Sequence, residues 1–153
     1  HMLSARHART WPHRSGRKFG FLLADVSRLM RRAFQQRLEG SSLTLAQARA
    51  LIYVSRNEGV RQVDLADLLE VQPITLARLI DQLAGDGLVE RRSDPADRRA
   101  YHIFLTPAAA PQLAAIEQVA TATRADALRN LDEAQATAVF HALRMMRDNL
   151  TSR

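Results

Sequence analysis

Four arginines surround a short acidic turn in the stretch VERRSDPADRRAYHIFLT, residues 89–106. These residues are Arg91, Arg92, Asp94, Asp97, Arg98 and Arg99. A guanidinium group binds phosphate oxygens through paired hydrogen bonds, and it also fits the narrow minor groove of DNA, where negative potential is concentrated. The stretch therefore predicts contact with a polyanion, with the carboxylates orienting Arg98 and Arg99. For Arg91 and Arg92 the alternative is a solvated strand edge that prevents further strand pairing.

No arrangement typical of an enzyme accompanies these residues. The chain has no cysteine, and its six glycines form no loop of the kind that binds nucleotide phosphates. Its five histidines include no pair at the spacing of a helical metal site. We therefore predict no catalytic residue, no metal and no cofactor, and a protein that is not an enzyme. His102 alternates with Tyr101 and Ile103 along a predicted strand and is expected to face solvent or phosphate.

Most of the net charge lies near the amino-terminal end of the chain. The sequence has 22 basic and 16 acidic residues, a net charge of +6. Residues 1–18 contain five of the basic residues and no acidic residue, so residues 19–153 are almost neutral. His1-Met2 looks like the remnant of a tag, and residues 1–18 are predicted to be a flexible basic arm. The charge of this arm is either incidental or used to contact DNA phosphates.

Residues 45–69 alternate short helices with tight turns. A capping box formed by Thr44 and Gln47 predicts a helix over residues 45–56. A strand of one residue pair is expected at Val60-Arg61, and the segment QVDLADLLE predicts the next helix. The inward residues of that helix are expected to be Val63, Ala66, Leu68 and Leu69.

The next helix begins at Pro73, which suits a first helical position, and extends to about Ala84. Its inward stripe is predicted to be Leu76, Leu79, Ile80 and Leu83, which leaves Ile74, Thr75, Arg78 and Gln82 outside. Asp81 is expected to form a surface ion pair beside Arg78. Two strands, residues 88–92 and 100–105, follow as a hairpin with a loop of about seven residues.

Long amphipathic helices are predicted over residues 19–38, 107–129 and 132–150. Thr106-Pro107 begins the second of these helices, and Asp132 caps the third. Their apolar stripes exceed what the short middle helices can cover, so burial against a second copy is expected. The alternative is a bundle closed within one chain. The predicted fold class is mainly α with a small β-hairpin wing, an α+β winged helix.

Two short helices separated by a tight turn and followed by a basic hairpin make a winged helix-turn-helix. A helix of this size fits the major groove of B-DNA, and the hairpin can reach the neighbouring minor groove. Residues 45–105 are therefore predicted to form a DNA-binding lobe. Residues 19–40 and 107–150 are predicted to form the dimerisation helices of a single domain over residues 19–153.

Residues 65–108, LADLLEVQPITLARLIDQLAGDGLVERRSDPADRRAYHIFLTPA, resemble the DNA-binding core of MarR-family transcriptional regulators. The resemblance rests on the helix-turn-helix together with the Asp-Arg-Arg of the wing and the following Leu-Thr-Pro. It implies a homodimer on a pseudo-palindromic operator, often released by a small aromatic or anionic ligand. It also implies that Gln72, Pro73, Ile74, Thr75 and Arg78 face the major groove. For the minor groove the resemblance favours Arg99, with Arg98 paired to Asp94 or phosphate, but the residues themselves do not distinguish the two arginines.

The chain departs from the family pattern in two places. Gln72 stands where a small polar residue usually opens the recognition helix, and alanine replaces the glycine that usually follows Leu-Thr-Pro. The expected function is a cytoplasmic, DNA-bound regulator, most often a repressor. Three alternatives remain: a chromosome-organising protein with low sequence preference, a protein-interaction module, and a small helical enzyme.

Overall fold

The computed structural model describes residues 13–151, without the side chains of His13, Arg14, Ser15 and Arg17. The helices are α1 (His13–Leu38), α2 (Leu45–Arg56), α3 (Gln62–Leu69), α4 (Pro73–Gly85), α5 (Ala109–Ala127) and α6 (Glu133–Thr151). The strands are β1 (Val60–Arg61), β2 (Val89–Asp94) and β3 (Asp97–Leu105). The mainly α fold with a β-hairpin wing is thus confirmed. None of the helices within residues 13–151 is long and apolar enough to cross a membrane.

One apolar core joins the middle helices to the hairpin. The side chains with the deepest burial are Leu51, Val54, Leu65, Leu76, Ile80, Leu83 and Ile103, none of which is exposed to solvent. They come from α2, α3, α4 and β3, so each of these elements contributes to the same cluster. Full burial of one such side chain contributes about 1.5–3 kcal/mol. The predicted stripe of α4 is confirmed, with Leu79 partly buried beside the three fully buried residues.

The capping box at the start of α2 is also confirmed. The Thr44 hydroxyl accepts from the Gln47 N–H at 3.2 Å, and the Gln47 side chain accepts from the Thr44 N–H at 2.9 Å. A second reciprocal pair joins Asp132 and Gln135 before α6, as the Asp132 cap predicts. Both pairs satisfy backbone donors that a helix leaves unbonded at its first turn.

The three strands form one antiparallel sheet in the order β1-β3-β2. Val60 pairs with Ile103, which confirms the short strand at Val60-Arg61. The predicted loop of about seven residues is wrong: β2 and β3 extend to Asp94 and Asp97, so that only Pro95-Ala96 separate them. The pairing runs from Val89–Leu105 to Ser93–Tyr101 and resumes at Asp94–Asp97, so a register irregularity between Ser93 and Asp94 leaves residues 98–100 of β3 without a paired residue.

Gly59 lets the chain turn tightly into β1. Its φ is +84°, and an added Cβ atom would lie 3.2 Å from the ring of Phe104. The conformation and the close approach both favour glycine. The Gly59 N–H donates to the Ile103 carbonyl at 2.9 Å, which attaches the turn to β3.

The inward face predicted for α3 is partly wrong. Val63 and Leu68 are 55% and 44% exposed, whereas Leu65 is fully buried with Ala66 and Leu69. Apolar residues surround most of this eight-residue helix, but the core lies on one side of it. The side that carries Leu65 and Leu69, one turn apart, is the side that packs.

Two helices begin at other residues than predicted. Helix α1 begins at His13 rather than Phe19, so residues 13–18 are helical and not part of an arm. The remainder of the predicted basic arm, residues 1–12, lies outside the described residues. Helix α5 begins at Ala109, because the Thr106 hydroxyl donates to the Gly87 carbonyl at 2.5 Å and holds residues 106–108 against the end of α4.

The long helices differ in how much of their apolar surface the chain itself covers. In α5, Ile116 is buried and Leu113 and Val119 pack against the core, so these residues of its stripe are covered within the chain. An ion pair of Arg37 with Asp126 attaches α5 to α1 and lowers the pKa of Asp126. Helix α6 has no buried residue. The apolar residues left exposed on α1 and α6 include Phe19, Phe21, Leu22, Val26, Leu29, Val139, Phe140, Leu143, Met145 and Leu150.

The side of α3 that packs can be tested by comparing two leucines. Leu65→Ala is expected to lower the free energy of unfolding by about 2–5 kcal/mol, because it leaves a cavity in the core. Leu68→Ala serves as the matched control and should change it by less than about 1 kcal/mol. Urea unfolding at one fixed protein concentration measures both. Equal losses in the two variants would contradict the packing described here.

Candidate nucleic-acid interface

The outer face of α4 presents exposed side chains along one side. Gln72 is the N-cap residue, with φ −64° and ψ 145°, but its side chain makes no capping hydrogen bond. Pro73 occupies the first turn, and Ile74 is 61% exposed. Thr75 and Arg78 are also exposed. The burial of the opposite stripe brings these five predicted residues together on one surface.

The wing tip, residues 94–99, presents two exposed arginines. The Asp94 carboxylate accepts from the Ala96 N–H at 2.9 Å, and the Asp97 carboxylate accepts from the Arg99 N–H at 3.0 Å. These bonds fix the backbone of the turn without engaging a guanidinium. Among residues 13–151, no acidic side chain forms an ion pair with Arg98, Arg99 or Arg78.

The prediction that Asp94 pairs with Arg98 is wrong. The Asp94 carboxylate lies 3.0 Å from Nε2 of His102 and does not pair with Arg98. His102 was predicted to face solvent or phosphate, but both of its ring nitrogens have partners within the chain. Its Nδ1 lies 2.8 Å from the Gly59 carbonyl. The hydrogen bond to Asp94 raises the pKa of His102, and the Gly59 carbonyl adds to the effect.

Arg91 lies at the junction of β2, α3 and α4. Its Nε donates to the Gln62 side chain at 2.9 Å and one terminal nitrogen donates to the Ala77 carbonyl at 3.0 Å. The other terminal nitrogen lies 2.6 Å from Asp81. Asp81 thus pairs with Arg91, and the expected pairing beside Arg78 is wrong. The side chain of Arg91 is 23% exposed, and its guanidinium is occupied by partners within the chain.

Arg92 lies on the other face of the hairpin. Its guanidinium bonds to Glu90 at 2.5 and 2.8 Å and lies 3.8 Å from the ring centroid of Phe104. More than half of the Arg92 side chain remains exposed. Arg92 is therefore oriented by its neighbours and remains accessible at the surface.

A small cavity separates the wing from the start of α3. It has a volume of about 280 Å³ and is lined by Arg61, Gln62, Val63, Asp97, Arg99, Ala100 and Tyr101. Arg61 was not among the predicted site residues. It shares this cavity with Arg99, and the one signal in the sequence is that a basic residue ends the short strand before α3.

The arrangement of α3, α4 and the hairpin is that of a winged helix-turn-helix, the fold of many DNA-binding proteins. Exposed side chains lie on the outer face of its second helix, and unpaired arginines lie at the tip of its wing. The sequence model of the MarR family matches residues 43–101, which include α3, α4, β2 and the first part of β3. The chain belongs to the MarR family of DNA-binding transcriptional regulators.

Solved structures of regulators agree with this assignment. The transcriptional regulator PA3341 is 38% identical, with a TM-score of 0.75, and the match covers 88% of this chain and 99% of that one. BpsR of Bordetella bronchiseptica, whose DNA binding is regulated by 6-hydroxynicotinic acid, is 27% identical over 86% of this chain and 99% of that one, with a TM-score of 0.72. A cysteine-to-serine variant of E. coli MarR complexed with operator DNA is 25% identical over 84% and 93% of the two chains, with a TM-score of 0.69.

The role of Arg91 can be tested through its partner. If Arg91 holds the wing against α4, Asp81→Asn should weaken DNA binding about two- to fivefold, the range for a partly exposed ion pair. If Arg91 contacts phosphate instead, removal of the Asp81 charge should strengthen binding, because it lowers repulsion from DNA. Fluorescence anisotropy with a genomic DNA fragment measures whether the affinity of Asp81→Asn falls or rises. In Arg91→Gln, the slope of affinity against salt should stay unchanged, whereas loss of a phosphate contact reduces it by about 0.9.

Proposed function

We propose that this protein is a homodimer that represses transcription by occupying a pseudo-palindromic operator, and that a small ligand releases it. The observation that carries the proposal is the position of Arg78, Arg98 and Arg99. All three are exposed, lie on the helix-turn-helix and wing, and have no ion pair among residues 13–151. Because these three arginines are not needed for ion pairs within the described part of the chain, they are available to bind DNA.

The outer face of α4 enters the major groove in this proposal. Arg78 can donate two hydrogen bonds to guanine O6 and N7, a contact that contributes about 1–3 kcal/mol of discrimination. Thr75 can bond a base or a phosphate, and the exposed Ile74 can contact a thymine methyl group. Gln72 and Pro73 approach the DNA at the start of the helix.

The wing enters the adjacent minor groove. Arg99 is proposed to insert there and Arg98 to bind phosphate, while Arg92 contacts the backbone at the base of the wing. Asp94 contributes by fixing the turn rather than by touching DNA. Arg91, although predicted from the sequence to contact phosphate, is better explained as the residue that holds the wing and α4 at a fixed separation.

A second copy is proposed to cover the exposed apolar faces of α1 and α6. Monomeric proteins rarely expose contiguous apolar surface of this kind. Residues 19–40 and 107–150 then form the dimerisation region, and residues 45–105 form the DNA-binding lobe. A two-fold axis places the two α4 helices about 34–36 Å apart, one turn of DNA. The expected location is the cytoplasm, where a chromosomal operator is accessible.

The effector is proposed to be a small aromatic or anionic molecule that binds between the dimerisation helices and the lobe. The support is indirect: DNA binding by the similar regulator BpsR responds to 6-hydroxynicotinic acid. The dimer can bind the operator only when its two α4 helices are correctly spaced. A ligand therefore releases the operator only if it binds the dimer more tightly when these helices are not spaced for DNA. Selection of genomic fragments, repeated with aromatic acids present, tests both the operator and the effector.

The DNA contacts are tested by two variants and a control. Arg98→Ala with Arg99→Ala should weaken binding to the selected fragment about tenfold or more and make the salt dependence shallower. Arg78→Ala should lower affinity for that fragment more than affinity for unrelated DNA. Arg124→Ala removes one exposed charge from α5 and should change neither the affinity for the selected fragment nor the salt dependence. If Arg78→Ala weakens all sequences equally, α4 does not select the operator, and a chromosome-organising role is favoured.

The dimer is tested by charging its proposed surface. Leu143→Glu places a carboxylate on the exposed stripe of α6 and should shift the protein toward monomer, because burial of an unpaired charge is costly. Leu68→Glu is the control, since Leu68 is equally exposed but lies on the DNA-binding lobe. Analytical ultracentrifugation over a range of concentrations measures the change. A wild-type protein that is monomeric at all concentrations would exclude the dimer.

A further inference from the structure

One histidine of the wing is bonded at both ring nitrogens. Nδ1 of His102 lies 2.8 Å from the Gly59 carbonyl, and Nε2 lies 3.0 Å from the Asp94 carboxylate. The side chains of His102 and Asp94 are 28% and 27% exposed. The imidazole thus lies between the turn before β1 and the last residue of β2.

Both partners of this imidazole are acceptors. A backbone carbonyl cannot donate, and an ionised carboxylate cannot donate either. Neutral imidazole has a single N–H, so it can satisfy one of the two, whereas the imidazolium satisfies both. The bond from His102 also lowers the pKa of Asp94, and the Ala96 N–H lowers it further.

The other charged groups around His102 are mainly cationic. Arg61 of β1 and Arg92 of β2 are its cross-strand partners on either side. Arg61 opposes protonation of the imidazole. Glu58 is engaged with the Leu105 N–H at 2.7 Å, and Glu90 is engaged with Arg92. Asp94 is therefore the carboxylate that favours the charged ring.

We propose that His102 is a positioning residue for DNA binding, and that its imidazolium holds the wing tip in the conformation that presents Arg98 and Arg99. The bonds run without a break from Gly59 through His102 to Asp94, and from Asp94 to the Ala96 N–H in the turn. Loss of the ring proton removes the donor that faces Asp94 or the one that faces Gly59. Either loss breaks the chain of bonds that connects Gly59 to Asp94 and so holds the wing tip against the lobe. This inference rests on the proposed operator binding.

The direction of the pH dependence follows from the raised pKa of His102. The ion pair is complete while Asp94 is ionised and His102 is protonated. As pH rises through the pKa of His102, the pair is lost, and operator affinity falls. As pH falls through the lowered pKa of Asp94, the pair is also lost, because the carboxylate becomes protonated. The proton is thus a ligand that favours the DNA-binding conformation.

The test measures affinity for the selected genomic fragment from about pH 5.5 to 8.5, the range in which histidine changes charge. The wild type should lose at least about fivefold in affinity as pH rises, the lower end of typical coupling between two sites. His102→Gln cannot become charged and should bind independently of pH, at the level of the wild type at high pH. In the Arg98→Ala, Arg99→Ala protein the pH dependence should shrink, because His102 acts through those residues.

Nuclear magnetic resonance of the DNA-free protein provides a second readout. The His102 ring should titrate above its ordinary pKa, the Ala96 and Gly59 amides should shift with the same midpoint, and Asp94→Asn should lower that midpoint. A His102 ring that titrates at or below its ordinary value, or a His102→Gln protein that keeps the full pH dependence, overturns the inference. If no fragment binds at any pH, the proposed function fails, and the Ala96 titration alone decides whether His102 positions the wing.

Discussion

The outer face of α4, proposed here to contact DNA, depends on the burial of one stripe of this helix. Leu76, Ile80 and Leu83 are fully buried, and Ile103 of the wing belongs to the same core. A helix can bury only one such stripe, so its rotation is set, and Ile74 and Arg78 must face outward. Each buried side chain contributes more than an exposed ion pair does. Packing therefore determines which residues of α4 are presented, and polar contacts determine how the wing is held beside them.

Each face of the wing makes one set of polar contacts with the rest of the chain. Successive side chains of a strand point to opposite sides, so Arg91 reaches inward to α3 and α4 while His102, paired with Arg92, lies on the outer face. A two-stranded hairpin is marginally stable by itself. Arg91 connects the wing to α4, and His102 connects it to the turn at Gly59. Both connections use charge, whereas the base of the wing is held by Ile103 in the apolar core.

The sequence is most informative where a feature depends on neighbouring residues. The capping box at Thr44, the Pro73 start of α4 and the stripe of Leu76, Ile80 and Leu83 are confirmed, because each follows from spacing within one helix. The partners of Arg91, His102 and Asp94 could not be predicted, since Gly59, Gln62 and Ala77 come close only after folding. Helix α3 shows the same limit: its apolar residues fit several faces, and only the position of the core selects Leu65 over Val63.

Helix α5 connects the core of the winged helix-turn-helix to α1. Ile116 is buried in the core of the lobe, while Arg37 of α1 pairs with Asp126 near the other end of α5. Close-packed side chains transmit a displacement better than they absorb it. If a second copy covers α1 and α6, a change in the angle between the copies is carried through α5 to Ile116 and so to α4. A ligand at the surface between copies then needs no contact with α4 to change its spacing on DNA, and the proton on His102 acts on a different element, the wing. The two inputs would therefore combine at the operator without sharing a site.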